Sequence, residues 1–265
     1  MKKHKALNTV LSILALCVWV FSVVLVSQLV VAYIMVNLLG KATIDSALWN
    51  SIYFAVVYIL AFLIIVFVPI AIKNRQKKGK GHKKEKEKKE EVVSPAEIRK
   101  DLGLIDLPTW TDVGLAPIGF IVSLLLAALL VALFSAFPWF DAEQAQNVGF
   151  NALMPGFDRI LAFITLVVVA PIAEEIIFRG WLYTKLRDKL NKKVSDAWGI
   201  IISSLVVSLL FGLIHLQWNV GINVFALSIV LCALREITGT VYAGILTHMI
   251  KNGVAFYLLY VIGVV

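Results

Sequence analysis

Residues 6–39 read ALNTVLSILALCVWVFSVVLVSQLVVAYIMVNLL, an apolar stretch without a single charged side chain. Apolar runs longer than about 18 residues indicate helices that span a membrane. The hydrophobic region of a secretory signal peptide has only about 7–15 residues, so this stretch is too long for one, although lysines precede it. We therefore predict a retained first span.

Similar runs follow along the chain, and we place further spans at about 48–72, 113–137, 159–186, 198–216, 220–234 and 239–262. The runs do not alternate as the strands of a transmembrane barrel would. A hydrophobic content of 60% and a mean hydropathy of +0.88 exclude an ordinary soluble enzyme. The predicted fold class is all-α: a polytopic membrane protein with about seven transmembrane helices, six to eight.

The positive charge is concentrated in one segment. Residues 73–101 contain twelve lysines and arginines against six acidic residues, in a chain whose net charge is +8. Such a run is typical of a solvated linker, and attraction to anionic lipid headgroups is the lesser alternative. Because no aromatic residues interrupt the basic run, we expect no nucleic-acid partner.

The basic segments also predict the orientation. The N-terminal lysines, residues 73–101 and the loop at 185–193 are basic and are separated by two spans each time. Basic loops face the cytoplasm, so we expect a multi-pass protein with a cytoplasmic N-terminus. We divide the chain into a two-span hairpin (1–72), a basic cytoplasmic linker (73–109) and a membrane domain (110–265).

A few polar residues lie inside the predicted spans. An ionisable residue there costs about 2.5–3.5 kcal/mol on insertion scales, so each one suggests a functional site. The six that we single out are Glu174, Glu175, Arg179, His215, His248 and Asn252. Glu175 and Arg179 are four residues apart, as are His248 and Asn252, so each pair shares a helix face.

The depth of these residues is compatible with one buried site. At 1.5 Å per residue, Glu174 lies about 16 Å along its helix from Lys185, and His248 about 15 Å from Thr238. His215 is predicted to lie about 9 Å deeper, a difference that helix tilt can absorb. The sequence does not establish that the three spans touch.

The residue types fit hydrolysis of a peptide bond. A buried glutamate can take a proton from water as a general base, and an imidazole can position that water or protonate a leaving amine. A histidine and an asparagine on one face can donate hydrogen bonds to an oxyanion. No GxSxG sequence is present, so a serine nucleophile is not indicated.

Three motifs carry a family resemblance: EEIIFRG at 174–180 fits EExxxR, FGLIH at 211–215 fits FxxxH, and HMIKN at 248–252 fits HxxxN. In this order they resemble the CAAX protease and bacteriocin-processing family (CPBP), the type II CAAX prenyl endopeptidases, which are intramembrane glutamic proteases. The resemblance covers about residues 110–262. It implies a membrane endopeptidase with an intramembrane catalytic cavity.

The resemblance also implies a role for each motif residue. Glu174 resembles the glutamate that activates water, and His215 the histidine that works with it. His248 and Asn252 resemble the pair that stabilises the oxyanion, and Glu175 and Arg179 are assigned a supporting ion pair. A peptide precursor or a membrane protein is the implied substrate, and a bacterial cell membrane the implied location.

Three alternatives stay open. Two histidines and a glutamate form a ligand set of catalytic zinc, although HExxH is absent and a glutamate that acts directly on water needs no cofactor. Some members of the resembling family are linked to bacteriocin self-immunity, which predicts a non-catalytic protein that binds a peptide in the membrane. A transporter would show paired halves with broken helices, and no such repeat is visible.

Overall fold

The structure is a computed structural model that describes residues 2–40, 46–72, 75, 93–141, 150, 153, 156–191 and 193–263. Within these ranges the ordered elements are helices, and none of the described residues forms a strand. The predicted all-α class is therefore confirmed.

The helices are α1 Lys2–Leu39, α2 Ala47–Ile72, α3 Pro95–Asp101, α4 Trp110–Phe134, α5 Phe157–Leu190, α6 Asp196–Ile214, α7 Trp218–Thr238 and α8 Tyr242–Ile262. Seven of them, all but α3, are long and apolar enough to cross a membrane. The predicted number of spans is confirmed.

Local side chains begin α3 and α4. The Ser94 hydroxyl accepts a hydrogen bond from the backbone N–H of Glu97, whose carboxylate accepts one from the backbone N–H of Ser94. Thr109 and Asp112 form the same capping box at α4. Each box satisfies two backbone donors that the first helical turn leaves unpaired.

Helix α5 extends beyond its predicted end. The sequence predicts a loop from about residue 185, whereas the helix continues to Leu190. Arg187 lies in this last turn, where a cation interacts favourably with the carbonyl end of the helix. Its guanidinium also contacts Asp196 Oδ1 at 2.6 Å and Glu236 Oε1 at 2.8 Å, which ties the turn to α6 and α7.

Two packed groups of helices surround the middle of α5. Helix α7 packs against α4 and α6, and α8 packs against α4, α7 and the central part of α5. Helices α1 and α2 form a hairpin that packs on the other side of α5. The main apolar core joins both groups through fully buried side chains such as Val20, Ile65, Leu182 and Val207.

The predicted linker 73–109 is described only in part, since residues 73–74 and 76–92 lie outside the described residues. Its last helix, α3, is anchored to α5. Lys185 Nζ lies 2.6 Å from Asp101 Oδ2, and the Thr184 hydroxyl donates to the Asp101 carbonyl at 2.9 Å. The division of the chain into a hairpin, a linker and a membrane domain stays a prediction.

Candidate active site

Helix α5 carries the first motif in its middle. Glu174 and Glu175 end a short α-helical segment, Ala170–Glu175. Wider π-helical turns lie on both sides of it, at Ile164–Val169 and Ile176–Tyr183. Such turns inside α-helices are frequent at functional sites, because the extra residue in a turn changes the direction of the side chains.

Glu175 and Arg179 form an ion pair inside the protein. Arg179 Nη1 lies 2.9 Å from Glu175 Oε1, and both residues are 0% exposed. The Arg179 guanidinium also stacks over the Phe211 ring, with its central carbon 4.5 Å from the ring centroid. A charge-assisted hydrogen bond and a cation–π contact therefore offset part of the cost of burying the guanidinium.

His248 lies between the two glutamates. Its Nδ1 is 3.1 Å from Glu175 Oε1, and its Nε2 is 3.8 Å from Glu174 Oε2. Because Glu175 Oε1 also accepts a hydrogen bond from Arg179 Nη1, we take it as the acceptor in the shorter contact and His248 Nδ1–H as the donor. That hydrogen bond fixes the ring orientation and directs Nε2 towards Glu174.

Glu174 has different neighbours from Glu175. Its Oε1 accepts a hydrogen bond of 2.5 Å from the Tyr58 hydroxyl of α2. Its Oε2 is directed to His248 at a distance too long for a hydrogen bond. Among the described residues, Tyr58 is thus the one hydrogen-bond donor to this carboxylate.

His215 lies where α6 ends. Its Nδ1–H donates to the Phe211 carbonyl, one turn earlier, at 2.7 Å, so Nε2 is the ring nitrogen that this hydrogen bond does not use. Leu216 follows with a φ of 54°, and α7 begins at Trp218. A break of this kind inside a membrane bundle is tolerated where the backbone lines a cavity.

Asn252 lies one turn after His248 on α8. Its Nδ2 donates to the Leu166 carbonyl in the first π-helical segment of α5, at 2.9 Å. One amide N–H is therefore used, and the second N–H remains for another acceptor.

These side chains meet at one cavity, of about 570 Å³, within the range typical of small-molecule sites. We name it the central cavity. Its polar lining includes Glu174, His215, His248 and Asn252, together with Tyr58 and Lys251. The buried Glu175–Arg179 pair lies behind this lining.

The structure therefore brings four of the six predicted residues to one cavity and places the other two behind it. It also brings in Tyr58 and Lys251, to which no role was assigned from the sequence. The direct contact between His248 and Glu175 was not predicted either. Within the described part of the chain, no three His, Cys, Asp or Glu residues are grouped as metal ligands would be.

The three motifs lie in a stretch with a known family pattern. Residues 156–254 match the family model described as Type II CAAX prenyl endopeptidase Rce1-like. This segment is Rce1-like. The predicted resemblance is confirmed for α5, α6, α7 and most of α8, whereas α4 lies outside the match. No curated protein and no solved structure matches the chain.

The seven apolar helices support a multi-pass membrane protein, and its Rce1-like segment is similar to a family of CAAX-type proteases. A protein of this kind fits a peptide substrate and a lipid bilayer. The hairpin of α1 and α2 lies outside the Rce1-like segment, yet it supplies the hydroxyl that binds Glu174.

Proposed function

We propose that this protein is an intramembrane endopeptidase that hydrolyses a peptide bond in the central cavity by means of a water molecule activated by Glu174. The observation that carries the proposal is the convergence of Glu174, His215, His248 and Asn252 on that cavity from three helices of the Rce1-like segment.

Glu174 is the general base in this mechanism. Its Oε1 is held by Tyr58, so Oε2 takes the proton from water while the oxygen of that water attacks the carbonyl carbon of the substrate. The scissile C–N bond then breaks, and the proton on Glu174 passes to the leaving amine. His215 assists through Nε2, which is unprotonated in the neutral ring because Nδ1–H is bound to Phe211.

His248 and Asn252 stabilise the oxyanion of the tetrahedral intermediate. Asn252 offers its second amide N–H, since the first is bound to the Leu166 carbonyl. His248 donates from Nε2 only when both ring nitrogens carry protons, because Nδ1–H is committed to Glu175. Glu175 and Arg179 support the site by orienting this ring.

The substrate class follows from the surroundings of the site. The central cavity lies among helices that are apolar enough to cross a membrane, so a peptide with a hydrophobic or lipid-bearing end would partition to it. We infer that the substrate is a peptide precursor or a membrane protein. The proposed location is the cell membrane, with the N-terminus in the cytoplasm.

Comparison of peptide termini tests this function without a guessed substrate. Membranes from cells that carry wild type or Glu174→Gln at matched abundance are analysed for new peptide termini. Termini that occur only with wild type identify both a protease and its substrate. The contrary result has two parts: the peptide termini are the same with both proteins, and a candidate peptide partner is still bound and neutralised. That result would contradict hydrolysis and favour the self-immunity alternative.

A chelator separates the two ways of activating water. If Glu174 acts directly on water, the protein should keep its full activity after treatment with a zinc chelator. A loss of wild-type cleavage that added zinc restores would instead assign the water to a metal held by Glu174 and the histidines.

A further inference from the structure

The hairpin of α1 and α2 forms one wall of the central cavity. Val24 and Gln28 of α1 line the cavity, as do Phe54, Val57 and Tyr58 of α2. All of them lie far outside the Rce1-like segment. Most of this wall is apolar, so the Tyr58 hydroxyl stands out as a polar group placed next to the proposed general base.

The contact between Tyr58 and Glu174 is short and direct. The phenolic O–H donates to Glu174 Oε1 at 2.5 Å, across 116 positions of sequence. Hydrogen bonds from a hydroxyl to a carboxylate are typically 2.5–2.7 Å long and about twice as strong as those between neutral groups. The Tyr58 ring is itself held by the Phe54 ring, which stacks on it with the centroids 6.5 Å apart.

Without this contact the carboxylate would be free to turn. The terminal torsion of a glutamate is broad, so it does not by itself fix the positions of the two oxygens. In the described part of the chain no second donor binds Glu174, since His248 Nε2 stays 3.8 Å away. Tyr58 occupies Oε1 and leaves Oε2 without a hydrogen bond at the cavity.

We propose that Tyr58 is a positioning residue of the active site: it holds the Glu174 carboxylate so that Oε2 faces the attacking water. The hairpin of α1 and α2 then contributes to catalysis, because it supplies Tyr58. This inference rests on the proposed function, because it assigns Tyr58 a role through Glu174.

The test compares Tyr58→Phe with Tyr53→Phe in the full-length protein, purified in detergent. Tyr53 is a matched control, because its hydroxyl lies on the same helix and bonds the Gln28 carbonyl at 3.4 Å instead of a catalytic group. The probe is a synthetic peptide that spans the cleavage site mapped by the comparison of termini. Glu174→Gln is measured alongside.

We expect Tyr58→Phe to lower kcat by roughly ten- to hundredfold, the effect of one lost hydrogen bond to a charged group, with KM unchanged. Tyr53→Phe should stay within about twofold of wild type, since it removes only a long hydrogen bond to the Gln28 carbonyl and no contact with Glu174. Both variants should be extracted in amounts equal to wild type, because each keeps its aromatic ring.

Three results would overturn the inference. A Tyr58→Phe kcat equal to wild type would mean that Glu174 needs no fixed orientation. An effect on KM alone would make Tyr58 a contact of the substrate, and equal losses in the two phenylalanine variants would indicate a structural role. Full activity of Glu174→Gln would instead refute the proposed function, so the two failures are distinguishable.

Discussion

Glu174 and Glu175 are neighbours in the chain, and yet they have opposite surroundings. Glu174 lines the central cavity; Tyr58 donates to one of its oxygens, and no described residue donates to the other. Glu175 is fully buried behind the lining and shares one oxygen between Arg179 and His248. The difference follows from helix geometry, because successive residues point about 100° apart.

The comparison separates two uses of a carboxylate inside a membrane protein. A carboxylate that faces a cavity can contact water, whereas a carboxylate that is buried against an arginine can serve as a fixed support for its neighbours. We therefore expect substitutions at Glu174 to affect chemistry, and substitutions around Glu175 to affect folding as well.

The largest effect is expected at Glu174 itself. Glu174→Gln keeps the size of the side chain and removes the base, so hydrolysis should fall by about 10²–10⁴-fold, the usual contribution of a general base. The amount of inserted protein should match wild type. A rate of hydrolysis equal to wild type would contradict the role of Glu174 as the base, and with it the proposed difference between the two glutamates.

Asn252→Ala should give the next largest loss. It removes the proposed oxyanion donor, which typically costs about 10²–10³ in kcat. The kcat of the variant is compared with wild type on the mapped peptide, together with KM. A rise in KM with normal kcat would assign Asn252 to binding of the substrate and not to the oxyanion.

Arg179→Met tests the stabilising role of the buried Glu175–Arg179 ion pair. Loss of the arginine leaves Glu175 as an uncompensated buried charge, at a cost of about 3–5 kcal/mol. The measurement is the abundance of the inserted protein and its thermal unfolding in detergent. Normal abundance would contradict the burial of this pair.

The double variant Glu175→Leu with Arg179→Met separates the stabilising role of the ion pair from its role in orienting His248. Replacing both charges with apolar groups of similar size removes the burial cost, so abundance should recover relative to the single variant. Hydrolysis should stay low, because His248 then loses the Glu175 carboxylate that orients it. Recovery of both properties would assign Glu175 a purely structural role.

Gly244→Ala is expected to have the smallest effect. A Cβ at Gly244 would lie 3.1 Å from Glu175 Oε2, so α8 or the carboxylate must shift by a few tenths of an ångström. We expect about 1–3 kcal/mol of destabilisation from this crowding. Gly253→Ala is the matched control on α8, because its Cβ would meet Val167 Cγ1 at an ordinary 3.6 Å. Equal unfolding temperatures for the two variants would contradict a tight contact at Gly244.

The sequence predicted most of the fold because the hydrocarbon core of a bilayer demands long apolar helices. The seven spans follow from apolar length alone. Helix ends were predicted less well. Helix α5 continues to Leu190 through basic residues, which a search for apolar runs does not count as part of a span. Cations are favourable at the carbonyl end of a helix, which the search for apolar runs does not detect.

From the sequence, one buried site shared by the motif residues was compatible with their depths, but neither the contact between the spans nor the connections between the residues could be predicted. His215 was expected about 9 Å deeper than Glu174 on the assumption of straight helices. In the structure α6 ends at Ile214, and His215 lines the same cavity as Glu174. A tyrosine in an apolar span has no local signal of a role, so Tyr58 emerges only from the packing of α2 against α5.

The most direct test of the central claim is a kinetic comparison of Glu174→Gln and Glu175→Gln as purified proteins, on the peptide mapped in cells, with thermal unfolding measured in parallel. We predict that Glu174→Gln unfolds like wild type and does not cleave. Glu175→Gln should unfold at a lower temperature and retain part of its cleavage. The reverse pattern, with cleavage by Glu174→Gln and none by a stable Glu175→Gln, would contradict the assignment of Glu174 as the base.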